Sequence, residues 1–372
     1  MNRIARVTIS LLVVFGSSRA SAGLIFNVTN QGGATPQMMT GFSQAAGMWS
    51  SLLNDSITVN IRINALAMSP GILGNTSAFF DAYTYSSVRN ALLNDATSAD
   101  DLSSVAKLPS GSVHSMLINR TSNNPNGALS ATPYFDTGLG GAGQAGSQNN
   151  STIRMTSANA KAMGLYPANA SGSDGTINFT TSQAFDFDRS NGISAGQVDF
   201  VGLALHEIGH LLGFRGGIEN LISNSTSPGL QDNQLLFVGP IDLFRFSTRS
   251  IGTGGGLGVN DWTADSTAKY FSVDGGATSL AAFSTGSQYG DGFEAHHWKN
   301  NLGLGVMDPT IVSGELVSIS NIDLRAFDVI GYNLTAVPEP SSLVLVGIAG
   351  LMGTAIRRRA AANKVGRLQS TE

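Results

Sequence analysis

Cysteine is absent from the 372 residues of this chain. That excludes disulfide staples, thiolate metal ligands, a cysteine nucleophile and a cysteine latch on any pro-segment. Charge is scarce too. Asp, Glu, Lys and Arg make up 12% of the chain, which also holds 45 glycines. This is the composition of a loop-rich, largely uncharged body, long enough for one large domain or two small ones. The formal net charge of −4 hides an asymmetry. Residues 1–22 and 337–372 hold eight of the 21 basic residues and two of the 25 acidic ones, leaving 13 basic and 23 acidic groups, a charge of −10, between them. So acidic a body is unsuited to nucleic acid. Histidine is also rare, at five in all, so a close pair of histidines does not follow from composition.

Such a pair stands in His206-Glu207-Ile208-Gly209-His210, followed by Leu211-Leu212-Gly213-Phe214. Val198, Val201, Ala204, Leu205, Ile208, Leu211 and Leu212 recur at the spacing of a helix with one buried face. Residues four apart lie one turn above each other, so His206 and His210 can offer two imidazoles to one metal ion. Glu207 then projects beside the open coordination position, where a carboxylate can take a proton from a metal-activated water. Gly213 permits the turn that ends the helix.

A catalytic zinc keeps three protein ligands and one open position. The spacing HExxHxxGxxH would put the third at residue 216, which is Gly216. Glu219, His296, His297 and the isolated His114 remain as candidates. On an extended chain adjacent histidines point opposite ways, so only one of His296 and His297 can readily ligate. Glu219 can return to the metal if the chain bends at Gly216-Gly217, or it can support a ligand instead. His114, in an apolar alternating run, reads as a satisfied structural histidine.

The two ends carry their own signals. Met1 to Arg6 is basic, Val7 to Phe15 is apolar and Ala20-Ser21-Ala22 has the A-x-A form, so residues 1–22 read as a secretory signal peptide. At the other end Val337-Pro338-Glu339-Pro340 precedes an apolar segment, residues 341–356, and then Arg357-Arg358-Arg359. The segment is near the lower limit for a membrane helix, and the arginines and residues 360–372 would stay cytoplasmic. These three parts, over residues 337–359, resemble the PEP-CTERM sorting signal of Gram-negative bacteria. The resemblance implies signal peptidase and an exosortase-type protease as partners, with the helix as a lasting or transient membrane tether.

In the body, Met39, Phe42, Ala46, Trp49 and Leu53 predict a helix over 36–53, and the alternation of residues 57–63 predicts a half-buried strand. Further helices are expected near 85–94 and 158–163, and strands near 151–155 and 176–180. The last of these is expected at a sheet edge that could pair with an extended peptide. Residues 121–151 read as a mobile loop. Asp186, Asp188, Ser190 and Asn191-Gly192 form an acidic turn that loosely resembles a calcium loop, with its glycine misplaced for one and Gln197 where a bidentate Glu would stand. Residues 240–246 read as a packed segment without chemistry, and residues 270–280 as a hairpin turning at Asp274-Gly275-Gly276. Ser320 is expected to cap a helix over 321–330 with Ile322, Phe327 and Ile330 inward, and with Asp323, Arg325 and Asp328 solvated or paired along the helix. The order of elements fits a mixed α+β body.

The blocks His206-Glu207-x-x-His210-x-x-Gly213-Phe214, His297-Trp298 and Gly305-Val306-Met307-Asp308-Pro309 together resemble the leishmanolysin branch of the metzincins. In that branch a long insertion, here 87 residues from His210 to His297, separates the helix from a third histidine followed by tryptophan and a Met-turn. The chain also looks like exported bacterial metalloproteases that carry PEP-CTERM tails. It departs from leishmanolysins in having no cysteine, and the likeness is confined to these blocks. The resemblance implies a metzincin-like domain over 23–336, Zn2+ held by His206, His210 and His297, Glu207 as general base, and a protein or peptide substrate. The other readings are a non-catalytic cell-surface or biofilm-matrix protein that retains the fold, and a hydrolase of non-peptide bonds.

Overall fold

The alternating stretch at 57–63 builds the middle of the main sheet. Val59, Ile61 and Ile63 of strand Thr58–Leu66 are buried, while Arg62 of the opposite face is exposed. The strand pairs in parallel with Ile25–Gly32 on one side and with Gly175–Thr180 on the other. Gly74–Ala78 pairs antiparallel to Gly175–Thr180 and completes the four-stranded sheet. The edge expected at 176–180 therefore lies one strand further out, because a segment with no apolar alternation covers it. The computed structural model describes residues 23–335, apart from 139–147, 227 and 253–257. The expected signal peptide, apolar segment 341–356 and basic tail lie outside the described residues. Among the described residues no helix is long and apolar enough to cross a membrane.

Two helices lie in the core. Pro36–Leu52 begins at Thr35, whose hydroxyl accepts from the Met38 amide, and buries Met38, Phe42, Ala45, Ala46 and Trp49. The Trp49 indole N–H donates to the carbonyl of Leu205 at 3.1 Å, which ties this helix to Phe200–Leu212. That second helix is capped by Asp199, which accepts from the Gly202 amide at 2.9 Å, and ends at Gly213 with φ 118°. A single buried face was expected of it. All thirteen of its residues are buried, because its otherwise polar face carries the histidines and is covered by the C-terminal part of the chain.

That part contains a three-stranded antiparallel sheet, Arg245–Phe246, Lys269–Phe271 and Ala281–Phe283, and the closing helix Asn321–Val329. The hairpin expected over 270–280 is present with a longer connection. Residues 121–151, expected as loop, include the short strand Tyr134–Asp136 and the turn of helix Gln148–Ser151. Ser320 caps the closing helix through a reciprocal bond pair with Asp323, and Phe327 stacks edge-on against Trp49 at 4.7 Å. Its carboxylates are not solvated. Asp323 and Asp328 are buried, and Arg325 pairs with Asp100 of another helix at 2.6 Å. Tertiary partners decide the fate of these groups, and spacing along one helix does not reveal them.

Two of the buried carboxylates hold their protons near neutrality. Burial raises Asp55 from 3.8 to about 7, even though the Asn333 amide donates to it. Burial likewise raises Asp328 to about 7, against the Ser98 hydroxyl bond at 2.5 Å. In the unfolded chain both ionise near 3.8, so between there and about 7 the folded state binds more protons than the unfolded one. Stability therefore falls as pH rises through that window. The double variant Asp55→Asn/Asp328→Asn should show a flatter dependence of the denaturation midpoint on pH between about 4 and about 7. An unchanged slope would refute the assignment.

Candidate metal centre

One turn of helix sets His206 above His210, and the chain around residue 297 brings in a third imidazole. In each ring one nitrogen faces a carbonyl oxygen. His206 Nδ1 is 2.7 Å from Val306, His210 Nδ1 is 2.9 Å from Phe214, and His297 Nδ1 is 3.2 Å from Glu294. A carbonyl only accepts, so each Nδ1 carries a proton, and in the neutral form of each ring the Nε2 presents its lone pair. The three Nε2 atoms lie 3.0, 3.0 and 3.3 Å from one another. Three acceptors so close repel unless a cation sits among them. Nitrogens held tetrahedrally at zinc distances of 2.0–2.1 Å stand about 3.3 Å apart, so the triad fits such an ion. Burial holds His210 and His297 well below the usual imidazole range, which keeps them in the neutral, ligating form. The three ring nitrogens are close enough to one another to hold a metal ion.

Met307 forms the floor. A Cβ added at Gly209, between the two helix histidines, would come within 2.4 Å of the Met307 sulfur, so only glycine lets the thioether lie against this turn. Glu207 is buried on the same helix. Thr76 of the edge strand donates its hydroxyl to the Glu207 carboxylate at 2.7 Å and reaches its carbonyl at 2.9 Å. Burial raises the pKa of Glu207, partly offset by His206 and by the Thr76 bond. A cleft of about 520 Å³ opens over these groups. Gly71 to Thr76 form one wall and Asp308 to Val312 the other.

The remaining candidates separate cleanly. Glu219 does not reach the triad. It accepts from the amides of Ala295, at 2.9 Å, and Ser287, and from the Ser287 hydroxyl, so it clamps the segment that delivers His297. His296 does not point away from His297 as expected for extended chain. The backbone turns there, and the two rings stack at 5.0 Å with 26° between their planes. His296 packs edge-on against His210, and its Nε2 sits 3.3 Å from Glu294 without hydrogen-bond alignment. Glu294, His296 and His297 are close enough to form a second metal-capable group, which shares His297 with the first. His114 lies far along the chain, buried against Tyr85. It is structural, but not satisfied as expected: neither ring nitrogen makes a well-aligned hydrogen bond, and burial lowers its pKa to about 4. The acidic turn closes on itself. Asp186 accepts from the amides of Asp188 and Ser194, and Asp188 from Ser190.

Several supporting residues gave little signal in the sequence. Asp323 accepts from the Trp298 indole at 2.7 Å and from the amides of Val306, Met307 and Ser320, so one carboxylate joins the His-Trp block, the Met-turn and the closing helix. In the segment 240–246, Arg245 donates to the carbonyls of Ala295 and Ser284 at 2.8 and 2.7 Å. Asp242 accepts from the amides of Gly217 and Gly239. The segment braces both sides of the site. Arg215, just after Phe214, donates to the Thr76 carbonyl at 2.6 Å and lines the cleft. A lone arginine directly behind the histidine helix of so uncharged a chain was the one available hint.

Residues 336–359 match the family model of the PEP-CTERM protein-sorting motif. This is an exported, sorted bacterial protein. The motif implies recognition by an exosortase-type system and delivery to the cell surface. No curated protein and no solved structure matches the chain.

With zinc as the probe ion, full-length His297→Ala should lose tight binding, measured by competition with a chromogenic chelator, while His296→Ala retains it. Glu219→Ala should weaken binding by about 10–100-fold, as loss of a ligand-supporting bond does. Wild-type affinity in His297→Ala would dissolve the triad.

Proposed function

We propose that the protein is an exported zinc endopeptidase with a metzincin-type site. The observation that carries this reading is the facing of three imidazole lone pairs beside a buried glutamate, in a cleft walled by an open sheet edge. Three neutral nitrogen donors with room for a further ligand are a donor set that suits catalytic zinc. When bound, the ion supplies Lewis acidity and lowers the pKa of a coordinated water.

The chain's own residues do the rest. His206, His210 and His297 hold the ion, and the carbonyls of Val306, Phe214 and Glu294 fix their tautomers. Strand Gly74–Ala78 is the last of its sheet and lines the cleft, so an extended peptide can align along it, although its Thr76 carbonyl is already taken by Arg215. Glu207 takes the proton from the attacking water and returns it to the leaving amine. Its raised pKa brings the carboxylate closer to the pH at which a general base works best. The Thr76 hydroxyl on one carboxylate oxygen limits rotation about the side chain's end.

Glu207→Gln should keep zinc at wild-type stoichiometry and lose cleavage of an unfolded protein by about 10²–10⁴-fold. Retained cleavage would sink the mechanism. Zinc-loaded wild type that cleaves nothing would favour the alternative, a surface or matrix protein that keeps the site as structure.

A further inference from the structure

A second cavity, of about 260 Å³, adjoins the cleft and shares Arg215 and Glu294 with it. Arg154, from strand Thr152–Thr156, forms part of its wall. The guanidinium carbon lies 5.0 Å from the ring centre of Phe80 and 5.3 Å from that of Phe237. Among the described residues no carboxylate comes within ion-pair reach of Arg154, and its side chain makes no hydrogen bond. Two aromatic faces therefore hold an always-charged, planar fork of donors with nothing yet to donate to. Such a group suits a carboxylate, which it can grip in bidentate fashion.

The pocket also holds Glu219, Arg215 and Glu294. Glu219 accepts from Ser287 and Ala295. Arg215 donates from one terminal nitrogen to the Thr76 carbonyl, and its buried Nε has no partner. Glu294, at the rim, faces His296 at 3.3 Å and is 54% exposed, so water and salt screen its repulsion of an incoming acid. The lining is formally balanced, two arginines against two glutamates, but among these four side chains the donors without a partner belong to the arginines.

We propose that this pocket is a subsite for an acidic side chain, Asp or Glu, of the substrate, next to the scissile bond. The proposal rests on the peptidase reading and gives it a substrate class. Two measurements on full-length, zinc-loaded protein test it separately. The first is the cleavage-site profile of a peptide library, read by mass spectrometry. Wild type should favour an acidic residue at one position flanking the cut by about tenfold, the worth of a single modest ion pair. Arg154→Ala should abolish that preference, and Arg154→Lys should retain part of it through charge alone. The second is glutarate binding to Glu207→Gln, with and without Arg154→Ala, followed by NMR. Any binding to the metal is common to both proteins, so the difference reports the pocket, and it should be about tenfold. Equal glutarate affinities, or cleavage indifferent to acids in wild type, would overturn the subsite. Arg154-dependent glutarate binding without any cleavage would leave the acid-binding pocket standing and remove the peptidase reading.

Discussion

The buried carboxylate of Asp323 is the contact on which the rest of the site depends. It accepts from Trp298 in the block that delivers His297, from Val306 and Met307 in the turn beneath the helix histidines, and from Ser320 at the cap of the closing helix. Val306 in turn fixes the tautomer of His206 through its carbonyl. Burial raises the pKa of Asp323 and the bonds from Ser320, Trp298 and Val306 oppose that rise, since each unmet lone pair in a low-dielectric interior is costly. The three segments must therefore arrive together. Position of the floor, orientation of one ligand and placement of another all follow from one side chain.

The helix side of the centre is built on different physics. Its histidines are ordered by backbone periodicity, and its burial comes from the sheet, from Trp49 and from the Met307 thioether that Gly209 admits. The carbonyl partners make all three imidazoles into acceptors aimed at one point, which is an unfavourable arrangement in the absence of a cation. Proton placement is thus decided at the outer nitrogens, and the inner ones are left with nothing but one another.

Legibility in the sequence followed the range of the interactions. His206, Glu207 and His210 lie within a turn and a half of helix, so local spacing sufficed, and His297 was marked by its distance to Trp298 and Met307. The edge strand was missed because Gly74-Asn-Thr-Ser-Ala carries no alternation; it forms by pairing with Gly175–Thr180 rather than by propensity. Asp323 and Asp328 read as solvated or paired along the helix because a helix sequence shows which residues share a face but not what covers that face. The side-by-side histidines 296 and 297 were misjudged for a related reason. Opposite orientation holds for extended chain, and the backbone there turns.

The span between His210 and His297 has a mechanical meaning as well. A chain without cysteine has no covalent means of closing a long loop, and this loop encloses 87 residues. An ion held by both ends acts as a reversible cross-link, which removes loop entropy from the unfolded ensemble much as a disulfide would, while its strength varies with metal supply. Two of the three proposed ligands, His206 and His210, are in place as soon as one helix forms, but the ring of donors is complete only when the chain around residue 297 has folded back onto it. If the proposed site is loaded, its occupancy would therefore also be a record of folding.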